Sequence, residues 1–317
     1  MVAHNHMNQP IIDIATEPLQ PFPPIPVELV LEILEFVASI DQKTAASLTL
    51  VSSQIRRFAL PFLYHTVILS TSRELCSFLR SISSNKSTPK LAPRKVLRRL
   101  VVNLGIFALG SMTAIGAVIS LCANVESLAC GFSMHTFSQI GQGIPVIIPK
   151  VREQHLLGFS CRDQFDPSII ARTTTRLHVQ LTAGTLALLS HVHEHLENLT
   201  HLAITVVSAP SEMCQSLLSM IEDLLCDNPM LRVLLVQDAS FTDCSTLLKE
   251  INQWNGISKH QIEVRDVRLV SQKASQSPVR QWESDSLESP AGGLWRDAEL
   301  VIETRKKAKG HRSTLYI

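Results

Sequence analysis

His191, His193 and His195, with Glu194 beside them, form the grouping in this chain that most invites chemistry. On a helix, His191 and His195 stand one turn apart on one face and could clamp a metal ion through their imidazoles. The zincin order His-Glu-x-x-His is absent and spacing supplies no third ligand, so the plainer reading is a solvated polar face. An enzyme built on a histidine metal site stays as the alternative. His4 and His6 fall in a proline-rich leader and carry less. Gly141-Gln142-Gly143 is short of a dinucleotide loop by a third glycine and an acid, and Gly131-Phe132-Ser133-Met134-His135 is short of a nucleophile elbow because its last residue is not glycine. The seven cysteines include no C-x-x-C pair, which excludes a RING-type zinc centre and reads as reduced core thiols. The expectation is a protein that is not an enzyme, with no cofactor and no metal.

What would position any such group is a chain of 317 residues, enough for roughly two domains, with 45% hydrophobic and 18% charged residues. That composition excludes a disordered polyelectrolyte. A net charge of +1 gives no global field toward nucleic acid or an anionic membrane, so neither is expected as a partner. Two basic runs, Lys86 to Arg99 and Arg305 to Arg312, read as a solvated linker and as cations favouring a helix C-terminus. No secretory leader is seen in residues 1–26, and the apolar stretch Ala114 to Ala123 is about half of a membrane helix, so an intracellular location, cytoplasm or nucleus, is expected.

Residues 1–24 hold five prolines and read as a disordered tail. Pro26 suits a first helical turn and predicts a helix from Val27 to Ala38. Its polar residues, Glu28, Glu32 and Glu35, fall within a stripe of roughly 60° at about 100° per residue. Apolar side chains wrap the remainder, so this helix needs cover on two sides, from the rest of the chain or from another protein. Asp41 to Tyr64 reads as two more short helices, capped by Asp41 and interrupted at Pro61. A bundle of this size is marginal alone.

The segments Ile25-Pro26-Val27-Glu28-Leu29-Val30, Ile33-Leu34, Leu50-Val51-Ser52, Ile55-Arg56-Arg57-Phe58 and Leu60-Pro61-Phe62-Leu63-Tyr64 stand in the order found in F-box-like domains of fungal, basidiomycete-type proteins, and residues 25–66 resemble that module. Gln42, where the family usually has an aliphatic residue, and Leu63-Tyr64, where it often has Trp, depart from the pattern. The resemblance implies a non-catalytic substrate-recognition subunit of a Skp-cullin-F-box ubiquitin ligase, which binds a Skp-type adaptor, through it a cullin, and an unknown protein substrate. It implies adaptor-facing roles for Pro26, Leu29, Ile33, Leu34, Leu50 and Val51. The competing reading is a scaffold whose bundle packs only on its own body.

The larger region, 67–270, should open with a strand at Thr66 to Ser70 and a helix to Ile82 started by the capping-box pair Thr71 and Glu74. An apolar-x-x-apolar-x-apolar motif then recurs at Leu97, Val125, Leu199, Leu231 and Val264, imperfectly at Thr174, with room for a degenerate copy near Glu153 to Phe159. At this hydrophobicity the motif arises by chance about 29 times, so its spacing carries the weight. Intervals of 28, 49, 25, 32 and 33 residues with helices between, and an irregular set of Asn124, Asn198 and Asn228 before three copies, resemble leucine-rich repeats, which run about 20 to 29 residues. The fold class expected is α+β overall, a small N-terminal helical F-box-like bundle followed by an irregular leucine-rich-repeat-like α/β domain. Residues 271–292 read as a Ser-rich linker, and 293–317 as a C-terminal amphipathic helix and basic tail, anchored by Trp295 and stopped at Gly310.

Overall fold

The computed structural model describes residues 25–83, 94–140, 151–162, 170–181, 189, 196–207, 211–240, 246–257, 264–288 and 293–313. The histidine group at 191–195, the Gly141–Gly143 loop, the leader and most of the 84–95 linker therefore lie outside the described residues.

Pro26, at φ −51°, opens α1 (Val27–Ile40), and its carbonyl accepts from the Val30 amide at 3.2 Å. Asp41 turns the chain into extended backbone and caps α2 (Gln42–Leu48) by accepting from the Thr44 amide at 3.0 Å. Ser52 caps α3 (Ser53–His65) at the Ile55 amide, 3.1 Å. Contrary to the expected interruption, α3 runs through Pro61, which stands with Arg57 on its exposed side, so the carbonyl that proline cannot serve faces water.

From Thr66 onward the chain builds one parallel sheet. The described strands are β1 (Thr66–Leu69), β2 (Asn103–Ile106), β3 (Ser127–Cys130), β4 (Glu153–Leu156), β5 (Arg176–Leu181), β6 (His201–Val206), β7 (Val233–Asp238) and β8 (Leu269–Lys273), hydrogen-bonded in chain order. The sheet advances one strand at a time with no reversal, unlike a doubly wound fold. Its units join by a repeated fork: the carbonyls of Val102, Glu126, Arg152, Thr175 and Thr200 each accept two consecutive amides from the start of the following strand, at 2.7 to 3.2 Å. The inner register Leu104, Leu128, Gln154, Leu177, Leu202 steps by 24, 26, 23 and 25 residues.

Between strands lie α4 (Ser72–Ser83), α5 (Arg94–Leu100), α6 (Met112–Leu121), α7 (Met134–Ile140), α8 (Ser211–Asp227) and α9 (Thr246–Trp254). The capping box forms as the sequence predicts: Thr71 Oγ1 accepts from the Glu74 amide at 3.2 Å, while Glu74 accepts from the Ser70 and Thr71 amides at 2.8 and 3.0 Å. Leu75, Ile115, Val118, Leu217, Ile221 and Ile251 from these helices meet the inner strand residues in one continuous core.

Three expectations need correction. The motif copies at Leu97 and Val264 are out of register: α5 holds Arg94–Leu100, so Val101, Leu104 and Ile106 form that copy, and Leu269 pairs with Leu234 as a second rather than a third position. The Ser-rich segment 271–292 is not all linker, because β8 extends to Lys273 and α10 (Pro278–Glu288) seats Trp282 at 2% exposure. Gly310 lies inside α11 (Gly293–Ser313) rather than ending it. Asn124 donates to Arg99 O in the preceding unit at 2.9 Å, and Asn228 to Leu224 O in its own helix at 3.1 Å. The α10–α11 pair covers the outer sheet face: Leu294, Trp295, Ala298 and Ile302 pack on Ala203, Val233, Leu235 and Val270, and Trp282 packs on Ala129 and Leu157.

Candidate functional site

Helix α1 presents an apolar stripe outward. Its one fully buried residue is Ala38, and Leu34 and Val37 are half-buried where it packs on α2 and α3. On the opposite side Leu29, Ile33, Phe36 and Ile40 are 49%, 56%, 67% and 65% exposed. At roughly 100° per residue these four span an arc of about 60°, and the three glutamates border it. The turn between α2 and α3 adds Leu50 at 78% and Val51 at 64%. Ile25, Val27, Val30 and Leu31 are exposed as well, on other sides of the helix or at its start.

Of the residues singled out from sequence, Pro26, Leu29, Ile33, Leu50 and Val51 face outward, whereas Leu34 turns into the bundle. Phe36 and Ile40 were missed, although continuing the i, i+4, i+7, i+11 count from Leu29 reaches both. Gln42, the departure from the family pattern, ties the bundle together: its amide nitrogen donates to Leu63 O at 3.1 Å and Thr66 O at 3.0 Å, joining the start of α2 to the end of α3 and to β1. The bundle therefore enters the sheet directly through His65 and Thr66, with α3 also packed on α5.

A second concentration of functional groups lies beneath α10–α11 on the outer sheet face. Trp295 Nε1 donates to Glu153 Oε1 at 3.0 Å, and the same oxygen lies 2.7 Å from His155 Nε2. His155 and His178 meet Nδ1 to Nδ1 at 3.2 Å, His178 Nε2 is 2.8 Å from Thr205 Oγ1, and that hydroxyl donates to Gln237 Oε1 at 3.1 Å. The line crosses four adjacent strands. Burial alone would raise the Glu153 carboxyl, but hydrogen bonds from His155 and Trp295 with the charges of His155 and Arg176 bring it down to about 2. Burial, reinforced by His155, holds His178 well below the usual imidazole range. Farther along, His201 Nε2 lies 2.9 Å from Glu299 Oε1 of α11.

Among the described residues, no group of three His, Cys, Asp or Glu side chains could hold a metal ion. Ser133 caps α7 through the Thr136 amide at 3.2 Å, and Phe132 and Met134 beside it are buried. Burial pushes the Cys130 thiol up, and those of Cys122 and Cys161 to about 12, so these sulfurs stay protonated. Cys76 and Cys226, in contrast to the expectation of core thiols, are exposed. No described helix is long and apolar enough to cross a membrane. No protein-family model matches the chain, and no curated protein or solved structure matches it. What fold and surface define together is a mixed helical and parallel-sheet protein that presents an outward apolar helix.

Proposed function

We propose that the chain is a substrate-recognition subunit of a Skp-cullin-F-box ubiquitin ligase, in which α1 and the α2–α3 turn dock a Skp-type adaptor and the sheet domain holds a protein target. The outward stripe Leu29, Ile33, Phe36 and Ile40 carries this reading, because an exposed apolar helix face is costly in water and fits a hydrophobic groove through anchors at helical spacing. The order of apolar residues and caps from Ile25 to Tyr64, which resembles the F-box, supports it. So does the sheet, whose strands follow in chain order at mostly leucine-rich-repeat spacing. The mechanism is proximity: holding a target beside a ubiquitin-charged enzyme raises the effective concentration of its lysines, and the chain supplies position rather than a nucleophile.

Affinity purification of the full chain followed by mass spectrometry, scored first for adaptor and cullin, tests this. Recovery of both from wild type, and of neither from a chain carrying Ile33→Asp and Phe36→Asp, is expected. These two side chains point away from α2 and α3, so the bundle should stay folded. Failure to recover an adaptor with wild type removes the reading.

A further inference from the structure

We infer that the outer sheet face binds an amphipathic helix of a target protein, and that α10–α11 occupy it in the free chain as an internal stand-in for that helix. The identity of the partner as a target rests on the receptor reading above.

The two faces of the sheet are built differently. Strands covered permanently on both sides read as continuous apolar runs. The inner face largely obeys this, with Leu104, Leu128, Leu177, Leu202, Leu234 and Leu269 in one row. In the outer row from β2 to β6 stand Asn103, Ser127, Glu153, Arg176 and His201. His155 and His178 share the next outer row with Gly105, Ala129, Ala203, Leu235 and Val270, and Thr205 and Gln237 stand in the one after. Such polar residues suit a face that exchanges ligands.

The cover is held by the apolar cluster of Leu294, Trp295, Ala298 and Ile302 and by a few directional anchors. Trp282 lies against Gly105, where an added Cβ would stand 2.3 Å from its ring, so glycine makes the seat for that indole. Trp295 and Glu299, one turn apart on α11, reach Glu153 and His201 at 3.0 and 2.9 Å. Arg305 donates to Leu269 O at 2.5 Å. Elsewhere the fit is incomplete: Gln237 Nε2 on the sheet and Gln281 Oε1 on α10 are buried without a hydrogen-bond partner. Ser275, Gln276 and Ser277, all exposed, tether the pair to β8. The partner this defines is a helix with an indole and a carboxylate four residues apart beside an apolar stripe.

Two measurements on the full chain test the inference. In hydrogen exchange of wild type, amides of α10 and α11 should exchange together and at least tenfold faster than those of β5 to β7, and Gly105→Val, which fills the Trp282 seat from the sheet side, should speed them further. Exchange of helices and strands at one common rate would show the pair to be ordinary core and overturn the idea. A fluorescent peptide of residues 293–309 should bind the Trp295→Ala chain at least tenfold more tightly than wild type, and adding Glu153→Ala should weaken it again. Equal affinity for all three chains, or no binding to any, also overturns it. Adaptor capture by the same preparations is scored separately, so loss of the receptor reading and loss of the sheet-face reading are distinguishable.

Discussion

Acidification should destabilise this fold through His178. The imidazole is buried, and burial with the neighbouring His155 lowers its pKa well below the ordinary 6.5, with Glu153 acting weakly in the opposite sense. A histidine whose folded pKa is depressed binds more protons when unfolded, so its stability contribution is complete above the unfolded value and is lost as pH falls below it. With the folded ring neutral, protonation of the unfolded ring at pH 5 costs the native state about 2 kcal/mol, and at pH 6 about 0.8 kcal/mol. His201, also lowered by burial, acts in the same direction but is less enclosed. The Glu153 carboxyl, lowered to about 2, contributes its full stability above the ordinary 4.5 and loses it only as pH falls from there toward 2, so the two effects separate along the pH axis. Urea midpoints of wild type and His178→Gln at pH 8, 6.5, 5.5 and 5 read this out, since glutamine does not titrate. Wild type should lose about 2 kcal/mol more than the variant between pH 8 and 5. Parallel curves, or a wild type that gains stability on acidification, would refute the assignment of a neutral buried His178.

Arg268 donates to Asn228 O at 3.2 Å and Leu225 O at 2.7 Å near the C-terminus of α8 while paired with Asp266 at 2.7 Å, so Arg268→Ala should cost about 2 kcal/mol in urea denaturation. Loss of less than about half that would mean water replaces the guanidinium. Gln42→Leu removes two hydrogen bonds between α2 and the α3–β1 junction and should raise proteolysis between α1 and α3 while leaving the sheet intact. Under native conditions at pH 8, alkylation followed by peptide mapping should label Cys76 and Cys226 and leave Cys122, Cys130 and Cys161 unmodified, because burial raises all three thiols.

Local chemistry made much of this architecture legible. Asp41 and the Thr71–Glu74 pair each write a helix start into the sequence, and both form. The strand motif was readable in the middle of the chain, where regular spacing pins the register, and slipped at Leu97 and Val264, where intervals lengthen and a neighbouring apolar residue imitates the pattern. Helix α10 was hidden because its serines mimic a linker: only Trp282, seated against a glycine far away in sequence, holds it on the sheet. The outer polar line was invisible for the same reason, since Glu153, His155, His178 and Thr205 come from strands more than 20 residues apart and only strand pairing aligns them. The α1 surface was readable as surplus apolar periodicity, but which side faced outward depended on how α2 and α3 packed. That packing turns Leu34 inward and leaves Phe36 outward.

Receptor function requires that the exposed stripe of α1 be a contact surface. Isothermal titration of the purified full chain with a Skp-type adaptor measures this directly. Wild type should bind with a dissociation constant of micromolar or below, and Ile33→Asp with Phe36→Asp should weaken binding at least ~100-fold, since each apolar side chain contributes about 1.5 to 3 kcal/mol when buried. The thermal midpoint should stay unchanged. No heat of binding from a folded wild type, or equal affinity for the double variant, would contradict the account.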